Sequence, residues 1–237
     1  MAGALIFHTY DDFCRQAGEH IFTILKASLL HKKRSSLVLS GGTTPAGVYR
    51  YLAEHYPDFH WQHIDFFIGD DRCVSDDHPD SNYRMIRENF FSLIPHREEQ
   101  IYRVNNTLPP EEAAQEYHKR IKNYLETNRW FDLVLLGMGP DGHTASLFPG
   151  YPELTENVRC AAATRQPAPL EPHVRRVTMT YPALNRCSNL MFLIRGSEKK
   201  SIMHSALRDR KRTRGSTEYP VCGVHPEAGS MYWYYTD

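Results

Sequence analysis

Asp141 and His143 stand two residues apart in a glycine-rich run, Gly137-Met138-Gly139-Pro140-Asp141-Gly142-His143, that follows the apolar segment Phe131 to Leu136. A neutral imidazole, with an ordinary pKa of about 6.5, can take a proton from water near neutral pH. General-base help of this kind typically contributes about 10²–10⁴-fold to a rate. Glycines at 137, 139 and 142 let the chain turn where side chains would clash. The run lies beyond the carboxyl end of an expected strand, where open α/β sheets place their ligand crevice. Asp141 is expected either to orient the imidazole or to contact hydroxyl groups of a ligand. Taken alone, an Asp-x-His pair is more often a loop hydrogen bond than a catalytic unit.

Two further clusters suit an anion. Ser40-Gly41-Gly42-Thr43-Thr44-Pro45 joins an apolar stretch to a helical one. Its backbone N–H groups and helix N-terminus favour negative charge, and Ser40, Thr43 and Thr44 add hydroxyl donors. No Gly-Lys-Ser/Thr follows, so a nucleoside triphosphate does not fit. Gly69-Asp70-Asp71-Arg72 offers two carboxylates and a guanidinium whose planar fork of donors matches a phosphate. One carboxylate is expected to hold Arg72 in place, and Asp70 and Arg72 both count as ligand-contact candidates. A plain strand–helix turn and a solvated surface turn are the corresponding structural readings.

The elements that must position these groups follow from periodicity. Strands are expected at Leu5–His8, Ser36–Leu39, Ile64–Ile68, Phe131–Leu136, Val174–Thr180, Leu190–Ile194 and Met231–Tyr235. Helices are expected after Asp11 or Asp12 as cap, after Pro45, over Ser81–Phe91, from Pro109-Pro110, and over Glu198–Leu207. Gly69 to Arg72 reads as a loop. Alternating strands and helices predict an α/β fold, Rossmann-like, with a mostly parallel sheet and helices on both faces. No internal repeat or linker divides the chain, so residues 1–237 are taken as one domain.

Composition narrows the function. The 237 residues are 41% hydrophobic and 24% charged, enough for one ample core, and 28 basic residues balance 28 acidic ones. No global field pulls the chain toward nucleic acid or an anionic membrane, so any anion site is local. Five cysteines at 14, 73, 160, 187 and 222, never in a Cys-x-x-Cys pair, suit a reducing compartment. No signal peptide or spanning segment is read, and a cytoplasmic location is expected. His60-Trp61-Gln62-His63 lacks a cysteine or acidic partner at ligand spacing, so no metal is expected. The basic run Arg208 to Arg214 reads as a solvated loop. Tyr232, Trp233, Tyr234 and Tyr235 read as strand packing, not as a base-stacking platform.

Asp141-Gly142-His143-Thr144-Ala145-Ser146-Leu147-Phe148-Pro149 resembles, position by position, a block of the 6-phosphogluconolactonases, relatives of the glucosamine-6-phosphate deaminases. Ser40 to Pro45 is similar to that family's Ser-Gly-Gly-x-Thr-Pro block. Asp70-Asp71-Arg72 with Ser81-Asn82-Tyr83 resembles its Asp-Glu-Arg and Ser-Asn-Tyr pattern, departing at Asp71 where the family usually carries glutamate. Lys199 resembles the lysine of its Gly-x-x-Lys segment, with Lys200 adjacent, and Arg176-Val177-Thr178 its Arg-Ile-Thr stretch. The resemblance weakens after Arg208.

It implies a glucosamine-6-phosphate deaminase-like fold and hydrolysis of 6-phosphoglucono-δ-lactone to 6-phosphogluconate in the oxidative pentose phosphate pathway. His143 would be the general base, with Asp141 orienting it or touching sugar hydroxyls. Ser40, Gly41, Gly42, Thr43, Thr44, Asp70, Arg72, Lys199 and, more remotely, Arg176 would hold the sugar phosphate. No metal or organic cofactor is implied. The partner would be a small sugar-phosphate lactone, with no nucleic acid or membrane, and the protein a monomer or weak homo-oligomer. Two rivals stand beside this reading. A glucosamine-6-phosphate deaminase would want a carboxylate near the histidine, and Ser146-Leu147-Phe148-Pro149 offers none. A sugar-phosphate sensor would use the same fold without turnover.

Overall fold

Alternate residues of the apolar runs divide between two cores, one on each face of a sheet. Leu37, Leu39, Phe66, Ile68, Leu133 and Leu135 pack with Phe13, Ile21, Val48, Leu52 and Ile86. Val38, Phe67, Val134, Leu136 and Phe192 pack instead with Ala113, Tyr117, Ile121, Leu125 and Met203. The computed structural model describes residues 4–209, 218–227 and 229–237.

The elements run β1 (Ala4–Phe7), α1 (Tyr10–Leu29), β2 (Ser35–Leu39), α2 (Thr43–His55), β3 (Ile64–Ile68), β4 (Asp70–Arg72), α3 (Asn82–Asn89), β5 (Ile101–Tyr102), α4 (Pro110–Asn128), β6 (Leu133–Leu136), β7 (Ala161–Ala163), β8 (Arg176–Met179), α5 (Tyr181–Leu184), β9 (Asn189–Arg195), α6 (Lys200–Asp209) and β10 (Ser230–Thr236). Seven strands form the main sheet in the order β1-β10-β9-β6-β2-β3-β5, and every pairing in it is parallel. Helices α1, α2 and α3 cover one face; α4, α5 and α6 cover the other. No helix among the described residues is long and apolar enough to cross a membrane.

From β2 the chain moves outward through β3 and β5, then returns to place β6 on the opposite side of β2. Strand order therefore reverses between β2 and β6, and a crevice opens at their carboxyl ends. The Ser40 loop leaves one of these strands and the glycine-rich loop leaves the other.

Several expectations shift. Asp70 to Arg72 is a strand, not a loop: it pairs antiparallel with β8 in a small second sheet ordered β4-β8-β7. Gly69 makes the corner, donating to the Leu39 carbonyl at 2.9 Å and accepting from Met179 N–H at 2.8 Å. Asp11 and Asp12 lie within the first turn of α1; the cap is Thr9, in extended geometry, whose hydroxyl accepts from Asp12 N–H at 3.1 Å. Strand β6 starts at Leu133, and Phe131 contributes an isolated bridge to Cys187. The strand expected from Val174 is confined to Arg176–Met179. Positions 210–214 of the basic run lie outside the described residues. The C-terminal aromatics do pack a strand: Trp233 stacks on Phe192 at 4.2 Å, and Tyr234 and Tyr235 are buried.

At the amino end of the β2/β6 pair, one carboxylate ties the strands together. Asp132 accepts from Ser36 N–H at 2.9 Å, Ser36 Oγ at 3.0 Å, Ser28 Oγ at 2.9 Å and Lys32 Nζ at 2.6 Å. Its removal strands a buried N–H, which costs about 1–3 kcal/mol. Asp132→Ala is expected to lower the urea midpoint by that much stability with an unchanged denaturant slope. An unshifted midpoint would mean that the carboxylate does not brace the sheet.

Candidate active site

The carboxyl ends of β2 and β6, the strand β4 and the turn after β9 together line a cleft of about 240 Å³. Ser40, Gly41, Gly42, Thr43, Thr44, Asp70, Arg72, His143, Arg176 and Lys199 all lie on its wall. Every sequence-derived candidate reaches this cleft except Asp141, which stands behind His143.

Asp141 Oδ1 accepts from His143 Nδ1 at 2.6 Å and from His143 N–H at 3.1 Å. Burial pushes the Asp141 carboxyl up, but the hydrogen bond and charge of His143 outweigh it, and the net pKa lies below the ordinary value. An ionised carboxylate only accepts, so Nδ1 carries the proton of this bond, and in a neutral ring the free lone pair is then on Nε2. The ring rests against Phe148, centroids 4.8 Å apart. Gly139 makes the pair possible: a β-carbon there would fall 2.0 Å from His143 Nδ1 and 2.8 Å from Asp141 Oδ1.

The rest of the block is scaffolding. Thr144 Oγ1 donates to the Gly137 carbonyl at 2.8 Å and closes the loop on itself. Ala145 lines the cleft in the left-handed region, with φ 47°, unusual for a side chain with a β-carbon. Ser146 Oγ donates to Asp70 Oδ2 at 2.6 Å, linking the loop to the small sheet. Leu147 and Phe148 are fully buried.

On the anion side, Gly42 ends the loop with φ 91° and caps α2 without a side chain, leaving the helix's first N–H groups uncapped. Tyr49 hydroxyl pins Ser40 from both directions, donating to its carbonyl at 2.8 Å and accepting its N–H at 3.0 Å. Gly41 has no room for a side chain, because a β-carbon would fall 2.0 Å from Asn82 Oδ1. Asn82 itself lines the cleft and donates from Nδ2 to the Asp70 carbonyl at 2.8 Å. It was not singled out as a site residue; its signal lay in the Ser81-Asn82-Tyr83 run.

The register of the small sheet explains which groups face the cleft. Arg72 is directly opposite Arg176, and Asp70 opposite Thr178. Like charges facing each other across a strand pair are unfavourable, and such a placement suits an anion between them. Arg176 is almost fully buried, and its guanidinium lies 5.5 Å from the Phe148 ring centroid. Burial depresses its pKa, while the charge of Asp70 opposes that shift. Lys199, on the turn between β9 and α6, also has its pKa lowered by burial, with Glu198 opposing. Lys200 Nζ lies 5.7 Å from the centroid of the Tyr235 ring, and of the two adjacent lysines Lys199 is the one that lines the cleft.

The expectation that one carboxylate of Asp70-Asp71 holds Arg72 is corrected. Residues alternate across β4, so Asp71 faces away from the cleft and is 1% exposed. It holds no guanidinium; Arg72 instead donates from Nη1 to the Asp80 carbonyl at 2.6 Å. The Asp71 carboxylate accepts from the backbone N–H groups of Arg72 (2.8 Å), Asn82 (2.7 Å) and Tyr83 (3.0 Å), fastening the start of α3 to the small sheet.

Comparison with known proteins identifies a family and similar folds. A family model described as glucosamine-6-phosphate isomerases/6-phosphogluconolactonase matches residues 8–233. A 6-phosphogluconolactonase of Thermotoga maritima is 36% identical over 209 residues, covering 88% of this chain and 91% of that protein. A probable 6-phosphogluconolactonase of Arabidopsis thaliana is 31% identical over 227 residues, covering 91% and 84%. Among solved structures, the Thermotoga maritima 6-phosphogluconolactonase superposes with a TM-score of 0.85 at 34% identity, covering 99% of this chain and 100% of that one. The Trypanosoma cruzi 6-phosphogluconolactonase gives 0.86 at 27% identity, covering 100% and 94%.

The buried Asp71 has a measurable signature. Burial raises its pKa from 3.8 to about 6, against the pull of its backbone hydrogen bonds. A raised folded-state pKa means stability that is complete below the unfolded value and lost as pH climbs through the folded one. Asp71→Asn cannot ionise. The stability difference, wild type minus variant, is expected to fall by on the order of 3 kcal/mol between about pH 4 and pH 6 and to stay level above. A difference that is flat with pH in denaturation series would contradict the raised value.

Proposed function

Because the chain belongs to the glucosamine-6-phosphate isomerase/6-phosphogluconolactonase family, we propose that it hydrolyses 6-phosphoglucono-δ-lactone to 6-phosphogluconate, a step of the oxidative pentose phosphate pathway. The observation that carries the mechanism is the 2.6 Å His143–Asp141 pair opening on the same cleft as the Ser40–Thr44 loop and three cationic side chains.

In this reading the phosphate sits at the amino end of α2, among Ser40, Thr43 and Thr44, with Lys199 and Arg72 supplying positive charge. That places the lactone carbonyl beside His143. Nε2 takes a proton from water as the water oxygen bonds to the carbonyl carbon. The tetrahedral intermediate then expels the ring oxygen, which leaves as a hydroxyl on receiving the proton from the imidazolium. Asp141 keeps Nδ1 protonated and the ring aimed, and it stabilises the imidazolium between the two transfers. Asp141 does not line the cleft, which favours this role over contact with sugar hydroxyls. Ser146, where a deaminase would want a carboxylate nearby, is committed to Asp70.

Freshly generated lactone, with 6-phosphogluconate followed through a coupled dehydrogenase, tests the proposal. Wild type is expected to exceed the spontaneous rate. His143→Ala should lose about 10²–10⁴-fold in kcat with KM little changed, and Asp141→Asn about 10²-fold. Near-normal turnover by His143→Ala would rule out this base. Saturable sugar-phosphate binding without any turnover by wild type would make the protein a sensor.

A further inference from the structure

The proposed chemistry leaves unused the groups that hold the catalytic loop from outside. Gly142 takes φ 79°, and its α-carbon faces two side chains from elsewhere in the chain. A β-carbon there would come 2.7 Å from Tyr219 Cδ1 and 3.3 Å from Ile202 Cγ2. Val221 N–H also donates to the Gly142 carbonyl at 3.0 Å. The stretch carrying Tyr219 and Val221 is itself anchored, since Tyr181 hydroxyl on α5 donates to the Pro220 carbonyl at 2.8 Å. The loop residue next to His143 is thus gripped between α6 and this turn.

Ile202 belongs to the first turn of α6, three residues after Lys199. One short stretch of backbone therefore presents Lys199 to the cleft and Ile202 to Gly142. A helical turn is stiff, and close-packed contacts pass a displacement on instead of absorbing it. We infer that Ile202 and Tyr219 are positioning residues that couple occupancy of the phosphate subsite at Lys199 to the alignment of His143, so that the phosphate of the substrate raises turnover as well as affinity. This rests on the reading above of Lys199 and His143. It is an instance of remote binding energy used to orient a reacting group, where an error of about 1 Å in position can cost about 10²-fold.

Splitting the substrate into pieces tests the coupling in the intact protein. Unphosphorylated glucono-δ-lactone is supplied at saturation with and without inorganic phosphate. Wild type is expected to turn it over about tenfold faster when phosphate is present. Ile202→Ala and Tyr219→Ala should lose that stimulation and about tenfold in kcat on the phosphorylated lactone. Their KM, and the inhibition constant of phosphate against the phosphorylated substrate, should stay within about twofold. Tyr219→Phe, which keeps the ring over Gly142, should retain both. If Tyr219→Ala fails to fold, Ile202→Ala carries the decision alone. Absence of stimulation in wild type, or equal stimulation in Ile202→Ala, overturns the coupling while leaving the lactonase reading intact. Failure of wild type on the phosphorylated lactone itself sinks the lactonase reading instead.

Discussion

The pairing of β2 with β6 is the constraint on which the rest of this structure depends. The two strands are held in parallel by Leu37 opposite Leu133 and Val38 opposite Val134, and at their amino ends by the Asp132 carboxylate. Parallel neighbours finish at the same edge of a sheet. The anion loop and the catalytic loop, nearly a hundred residues apart in sequence, therefore leave side by side. Strand order reverses between these strands, so no helix crosses over the gap, and the gap becomes the cleft. A register slip between β2 and β6 would separate the Ser40 loop from His143 whatever the loops contained.

Close approach is the second constraint, and glycine meets it at two points. Gly139 gives up a side chain so that the imidazole and the Asp141 carboxylate can stack over the backbone, and Gly41 gives one up to Asn82. Both lie on the cleft wall, one in each loop. The small antiparallel sheet then adds what the main sheet cannot supply. It turns Asp70, Arg72 and Arg176 toward the cleft from a third direction, and Ser146 bonds to Asp70 to lock that sheet to the catalytic loop.

Much of this was legible in the sequence, for identifiable reasons. Leu37, Phe66 and Val134 sit in apolar runs bounded by glycines, which announce buried parallel strands and their carboxyl-end loops. Ser40 to Thr44 and Asp141 to His143 are short contiguous runs whose residue types and spacing leave a plain turn open for each; the family resemblance tips the reading, and the structure brings Ser40 to Thr44 and His143 to one cleft. The small sheet was not legible, because Asp70 to Arg72 is three polar residues long and acquires its strand character only from Arg176 to Thr178, a hundred residues away. That omission bears on the carboxylate expected to hold Arg72. In a loop either carboxylate could turn to Arg72; in a strand Asp71 must face the opposite way, and Arg72 bonds the Asp80 carbonyl instead. The grip of Ile202 and Tyr219 on Gly142 is likewise a tertiary contact between apolar groups, with no local signature.

The charges of the cleft bear on why the Ser40 loop and His143 lie so close together. Arg72 and Arg176 face each other with Lys199 nearby, and the carboxylate among them, Asp70, is already bonded to Ser146. Burial disfavours the charged forms of Arg176 and Lys199 and lowers their pKa values, and the charges of Asp70 and Glu198 offset this only in part. In the proposed reaction a phosphate dianion would offset that cost of burial, and so would the negative oxygen of the tetrahedral intermediate. Fixed charges of this kind need no reorganisation when the oxyanion appears, which is the condition under which they lower a barrier instead of merely tightening binding. In the proposed reaction the fixed charges that would hold the phosphate are therefore the same ones that would stabilise the tetrahedral intermediate.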